Sequence, residues 1–176
     1  WQVGQEVMAS TKFSGFAAEL VVAASAVQAL PGPFAVAHGA CFLVAARTAY
    51  HALVDKAGLM PGETLVVLGA GGGVGLAAVE VGKLLGARVV AVASRDEGLA
   101  AAAARGADET INHGQHDLRQ RLLELTDGVG ADVVVDPVGG PLFAVVSRTM
   151  AWDGRLLVVG FASGSIPSLK ANLPLV

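Results

Sequence analysis

The 176-residue chain is poor in several things, and each shortage excludes a class of function. It has a single cysteine, Cys41, which rules out an internal disulfide and any cysteine-rich zinc site. Cys41 stands among Phe42, Leu43 and Val44, and is expected to be a small buried residue rather than a nucleophile. Charged residues make up only 15% and the net charge is −3, with no run of basic side chains. Nothing in that balance recommends nucleic acid or an anionic membrane as a partner. No signal-peptide pattern opens the chain. Its longest apolar candidate, Phe34 to Ala46, is too short to cross a bilayer and contains His38 and Gly39. A soluble cytoplasmic protein is the expectation.

What the chain has in plenty is apolar surface, at 53% of residues. That suits an α/β fold whose central strands are covered on both faces. The organising stretch is Thr64-Leu65-Val66-Val67-Leu68 followed by Gly69-Ala70-Gly71-Gly72-Gly73-Val74-Gly75. An apolar strand runs into a knot of glycines, and Leu76 to Leu85 then has helical spacing. The first amides of a helix lack partners inside it and carry the positive end of the peptide dipoles. A preceding turn without side chains lets an anion reach them, as a dinucleotide pyrophosphate does. Counting back from Gly75, the three fingerprint positions are Ala70, Gly72 and Gly75, so alanine replaces the first glycine. No Gly-Lys-Ser/Thr follows, so this is not a P-loop. There is also no G-x-S-x-G nucleophile elbow with a visible base partner.

In chain order, Val3 to Ala9 and Gly15 to Val22 read as short strands, and Pro31-Gly32-Pro33 marks a boundary. Val36 to Lys56 is helical, with Phe42, Ala45, Ala46, Ala49, Leu53 and Val54 at spacings of three and four. Strands at Val89–Ala93, Thr110–Asn112, Val133–Val135 and Leu156–Gly160 then alternate with helices at Ser94–Arg105, Leu118–Leu125 and Pro141–Met150. Ser94-Arg95-Asp96-Glu97 has the capping-box pattern. Apolar strands without alternation, separated by helices, predict a doubly wound, Rossmann-like parallel sheet built of right-handed βαβ units. Its ligand belongs at the strand-to-helix turns beyond the carboxyl ends of the strands.

An NAD-preferring fold places an acid about 20 residues past the glycines, on the ribose 2′-OH. Here Ser94 and Arg95 occupy that place. Serine can donate to a 2′-phosphate and arginine can pair with it. This charge logic favours NADPH, with NADH as the alternative. A helix cap at Ser94 and a solvated Arg95 are the structural alternatives.

The blocks Ala49-Tyr50-His51-Ala52-Leu53, Gly69 to Gly75, Asp132 to Gly140 and Gly154 to Gly164 together resemble the zinc-independent, quinone oxidoreductase-like branch of the medium-chain dehydrogenase/reductase superfamily. The resemblance implies that residues 1–35 are the remnant of a GroES-like catalytic domain and residues 36–176 an incomplete Rossmann domain. It places Thr48 near the nicotinamide, the amides of Gly73 and Val74 on the pyrophosphate, and Gly160-Phe161 at the border of the nicotinamide. His113 stands where relatives often carry a tyrosine, and either faces the phosphate or is merely exposed. Gly98 stands where NADPH-using relatives often carry a lysine. Val44 replaces the cysteine zinc ligand of the alcohol dehydrogenases, and the four histidines form no ligand pairing, so no metal site is expected.

The implied activity is hydride transfer from NADPH to a quinone or an α,β-unsaturated carbonyl, in a protein that dimerises when complete. No residue stands out as a general acid, and Tyr50 and His51 read as helix packing. The rivals are an enoyl reductase, including a polyketide synthase domain, and a nucleotide-binding module without turnover. Polyketide reductases usually read Asn-Ser-Leu where this chain has Asp136-Pro137-Val138.

Overall fold

The computed structural model describes residues 1–170 and 172. The chain divides into two compact units, Trp1–Arg47 and Thr48–Val176. The first unit holds an antiparallel ribbon of β1 (Val7–Ala9) and β2 (Val27–Ala29), with Met8 opposite Gln28. It also holds most of α1 (Val36–Tyr50). Gly39 lets that helix close on Met8 and Leu30, because a Cβ there would collide with Leu30 Cδ1. The strand expected at Gly15–Val22 does not form. The segment is irregular, and Phe16 and Val21 are fully solvent-exposed. Among the described residues nothing pairs with its backbone, and an unpaired strand is not stable in water.

The second unit is a parallel sheet. β3 (Thr64–Leu68), β4 (Arg88–Ala93), β5 (Glu109–Asn112), β6 (Ala131–Asp136) and β7 (Met150–Val158) lie in the order β5-β4-β3-β6-β7. All four pairings are parallel. Between the strands run α2 (Gly73–Leu84), α3 (Asp96–Ala104), α4 (Leu118–Leu125) and α5 (Gly140–Val146). The continuous apolar strands are explained by burial on both faces. Leu65, Val67, Val89, Ala91, Val133 and Val135 pack with Ala78 and Val79 of α2, Ala102 of α3, and Ala49 and Leu53. Val66, Leu68, Val90, Val92 and Val134 point the other way, onto Leu118 and Leu122 of α4 and Val146 of α5. The alternation of strand side chains sends successive residues to opposite faces.

Three local expectations are corrected. The helix expected to run to Met150 stops at Val146, and β7 already begins at Met150. β7 passes Asp153 at a φ of 60°, and its pairing with β6 shifts register between Ala131 and Val133. That irregularity hides the strand's start from any periodicity. Cys41 is exposed rather than buried. Two residues along a helix put it about 200° around from the buried Leu43. Tyr50 and His51 are not packing residues either. Both are exposed, and His51 Nδ1 lies 2.7 Å from Asp55 Oδ2 on the π-helical turn His51–Lys56 that continues α1.

Candidate dinucleotide site

The strand order reverses at β3, which has β4 on one side and β6 on the other. The chain leaves β3 toward one flank and returns to the other, so a crevice opens above its carboxyl end. The glycine turn sits there. Gly69 takes a φ of 60°, which only glycine adopts without strain, and Gly72 N donates to Gly69 O at 2.9 Å. Leu76 N to Gly72 O, at 2.8 Å, is the first rung of the α2 ladder. The amides of Gly73, Val74 and Gly75 therefore have no partner within the helix and carry its positive end.

Two glycines are required by close approach of backbone. At Gly75 a Cβ would collide with Gly69 O and stand 2.7 Å from Ala70 Cα. At Gly71 it would stand 2.7 Å from Gly98 Cα, in the first turn of α3. The fingerprint turn thus lies directly on the helix that follows β4. Ala70, named by the motif as a contact, is turned the other way. It is fully buried in the core, and its amide donates to Val92 O at 3.0 Å. Gly69 supplies the tight turn that Ala70's position in the motif suggests.

An open cleft of about 160 Å³ runs along this turn, lined by Gly69, Gly71, Gly72 and Ala93, by Ser94, Arg95, Gly98 and His113, and by Val138 and Leu142. Gly72, the adjacent pair Ser94 and Arg95, and His113 come from three separate stretches of the sequence and are brought together here. Ser94 does not cap α3. The N-cap is Arg95, without a side-chain cap bond, so the capping box does not form and the Ser94 side chain is exposed. The helix begins one residue later than the pattern implies. Thr48, Gly160 and Phe161 do not line this cleft. Thr48 is half-buried on α1. Gly160 and Phe161 sit farther along the crevice. A Cβ on Gly160 would be 3.3 Å from Pro137 O, and Phe161 Cδ1 is 3.1 Å from where Gly139 would carry one.

Asp136, wholly buried at the end of β6, builds that second wall. Its Oδ1 accepts from Val138 N and Gly139 N, each at 2.8 Å. Those bonds hold a turn in which Gly139 and Gly140 have φ of 67° and 62°. Among the described residues Asp136 Oδ2 has no partner. The turn in turn presents Val138 to Gly69, whose Cβ would lie 2.9 Å from Val138 Cγ2. Val138 and Leu142 were not legible as site residues, because only the strand order places them beside the glycines. At the opposite end of the sheet, Glu63 accepts from Met60 N at 2.8 Å and from the Arg155 guanidinium at 2.6 Å. Partial burial pushes its pKa up, but the arginine and the amide outweigh this and hold it below the usual value. Among the described residues no group of three or more His, Cys, Asp or Glu side chains could hold a metal, and no helix is long and apolar enough to cross a membrane.

Comparison with known proteins agrees with this fold. A family model described as zinc-binding dehydrogenase matches residues 73–175. The chain is 39% identical over 163 residues to quinone oxidoreductase-like protein 2 homolog of Nematostella vectensis, covering 92% of this chain and 44% of that protein. The solved quinone oxidoreductase of Thermus thermophilus, also determined as a complex with NADPH, superposes with a TM-score of 0.84 at 34% identity, over 96% of this chain and 54% of that one. CurK enoyl reductase superposes with a TM-score of 0.86 at 26% identity, over 97% and 50%. The chain spans about half the length of the curated relatives it matches.

Proposed function

We infer the function from one premise: the chain belongs to the zinc-binding dehydrogenase family, on the quinone oxidoreductase-like branch of the medium-chain dehydrogenase/reductase superfamily. The cleft is the seat of NADPH. The observation that carries this reading is the cradle itself, three free helix amides behind a turn whose backbone lies too close to its surroundings for side chains. Gly72 and the amides of Gly73, Val74 and Gly75 would hold the pyrophosphate. Ser94, Arg95 and His113 would face the adenosine ribose and its 2′-phosphate, where arginine forms a charge-assisted pair. Thr48, Gly160 and Phe161 would border the nicotinamide.

When bound, the nicotinamide supplies hydride to an electron-poor acceptor, a quinone or an α,β-unsaturated carbonyl. The chain's own part is to orient the cofactor and exclude water. The family's name describes its zinc-dependent members. Val44, at the position of a cysteine ligand in those members, supports a zinc-independent reading. A homodimer belongs to the same proposal and is supported by β7, whose outer edge is unpaired among the described residues and whose Trp152 is 86% exposed.

The likeness to CurK enoyl reductase supports a second reading, an enoyl reductase that reduces a polarised double bond. The two differ in acceptor and share the cofactor. Titration of the full chain with NADPH and NADH, followed by nicotinamide fluorescence, tests the cofactor. Tighter binding of NADPH is expected, and Arg95→Ala should weaken NADPH about tenfold or more while leaving NADH nearly unchanged. Equal loss for both dinucleotides would remove Arg95 from the phosphate. A panel of quinones, enones and enoyl thioesters then separates the two acceptor classes.

A further inference from the structure

The turn that closes the adenosine end of the cleft is anchored by side chains that do not face it. Asn112, the last residue of β5, is buried. Its Nδ2 donates to Asp96 Oδ1 at 2.6 Å, and its Oδ1 accepts from Gly114 N at 3.0 Å. Gln115 Nε2 donates to the second Asp96 oxygen at 3.3 Å. The amide orientation of Asn112 is fixed by chemistry, since a carboxylate only accepts and a backbone N–H only donates.

Asp96 follows Arg95 directly, so its carboxylate starts one residue from the guanidinium assigned to the 2′-phosphate. Yet the cleft is lined by Ser94, Arg95 and His113, and not by Asp96. Asp96 is exposed, but both its carboxylate oxygens are engaged, one by Asn112 at the end of β5 and the other by Gln115 in the turn after it. The position matters because an acid facing this region does two things at once. It accepts from a ribose 2′-OH, and it repels a 2′-phosphate. Tied back, Asp96 does neither.

We infer that Asn112 is a specificity-determining positioning residue, which keeps the site selective for the phosphorylated dinucleotide by holding the Asp96 carboxylate out of the cleft. This rests on the NADPH reading and extends it. Asn112 suits the task because one amide group serves both ends. It holds the acid and, through Gly114, the turn that carries His113, whose own amide is fixed on Ala93 O at 3.1 Å. A serine at 112 would be too short to reach Asp96, at no change in charge.

The test is a double-mutant cycle on the full chain, reading Kd for NADPH and NADH by nicotinamide fluorescence. Asn112→Ser should lower the NADPH-over-NADH affinity ratio about tenfold, on the order of one charge–charge contact in a partly exposed cleft. Asp96→Asn alone should leave the ratio near the parent value, because the tied carboxylate does not face the ligand. Asp96→Asn in the Asn112→Ser background should restore the ratio. Should Asn112→Ser not fold, the swap Asn112→Asp with Asp96→Asn replaces it. Asn112→Asp alone sets two carboxylates against each other and should lose selectivity, and the pair, with donor and acceptor exchanged, should regain it. A ratio unmoved in the single variant, with both dinucleotides weakened equally, overturns the inference and makes Asn112 a structural residue only. So does a loss of ratio that Asp96→Asn fails to rescue. A parent chain that prefers NADH overturns the cofactor reading and this inference with it, whereas a parent that prefers NADPH confines any failure to Asn112.

Discussion

Replacing Gly75 by alanine should separate fold and cofactor from one another less cleanly than replacing Gly72, and the difference can be worked from the turn. A Cβ at 75 would stand 2.7 Å from Ala70 Cα and 2.9 Å from Gly69 C, in addition to its collision with Gly69 O. Carbon pairs rest at about 3.5–4.0 Å, so the start of α2 must retreat from the turn by about 1 Å. The obstacles are all main chain, with no flexible side chain to give way. Overpacking of this kind costs about 1–3 kcal/mol, and removing a glycine from a helix returns about 0.5–1 kcal/mol. The net loss is about 1.5 kcal/mol, or a fall in Tm of about 3–6 °C for a domain of this size. The same retreat moves the amides of Gly73, Val74 and Gly75 off the pyrophosphate, so NADPH should bind at least tenfold more weakly, on the scale of about 1.4 kcal/mol per decade.

At Gly72 the nearest atom to a Cβ is Gly69 O at 3.4 Å, an ordinary contact, and φ is −88°. Alanine there loses about as much as an N-cap as it gains by restricting the unfolded chain, so Tm should stay within about 2 °C. Gly72 lines the cleft, however, so its methyl should still obstruct the ligand. Thermal melts followed by circular dichroism, paired with NADPH titration, read both effects. A Gly75→Ala chain that melts and binds like its parent would refute the argument, as would a Gly72→Ala chain with unaltered affinity.

Two buried or half-buried carboxylates give further outcomes. Asp136→Ala should destabilise the second unit by about 2 kcal/mol in urea, because two amides lose their acceptor and only one unpaired oxygen is removed; an unchanged midpoint would show that water replaces the carboxylate. Glu63 has a folded pKa below its usual value of 4.5. Its contribution is therefore fully present above that value and disappears as pH falls through the lower folded pKa. Glu63→Gln should flatten part of the decline in urea stability between neutral pH and acid, and a decline as steep as the parent's would count against the pair with Arg155.

The sheet was legible because its strands are buried on both faces and carry no polar side to confuse their reading. The pattern fails where a strand bends, as at Asp153 and Gly154, and where backbone has no partner among the described residues, as at Gly15–Val22. At the site, Gly72, Ser94, Arg95 and His113 could be named because each follows a strand that the sequence marks. Counting along a motif does not show that Ala70 faces the core, since a chain that turns at Gly69 sends the next side chain inward. Val138 and Leu142 lie more than 60 positions from the glycines, and their role depends on which strands are neighbours. Gly98 could be noticed only as a missing lysine, whereas its packing against Gly71 is invisible in one dimension.

That contact has a bearing on how cofactor preference can be altered. Positions 71 and 98 have backbones pressed together, with a Cβ at 98 only 3.1 Å from Gly71 Cα, so neither can gain bulk unless the other yields. A cationic side chain cannot simply be grafted at 98 to improve the grip on phosphate. Redesign of this pocket has to begin at its outer rim, among Ser94, Arg95 and His113, or else remodel loop and helix as one piece.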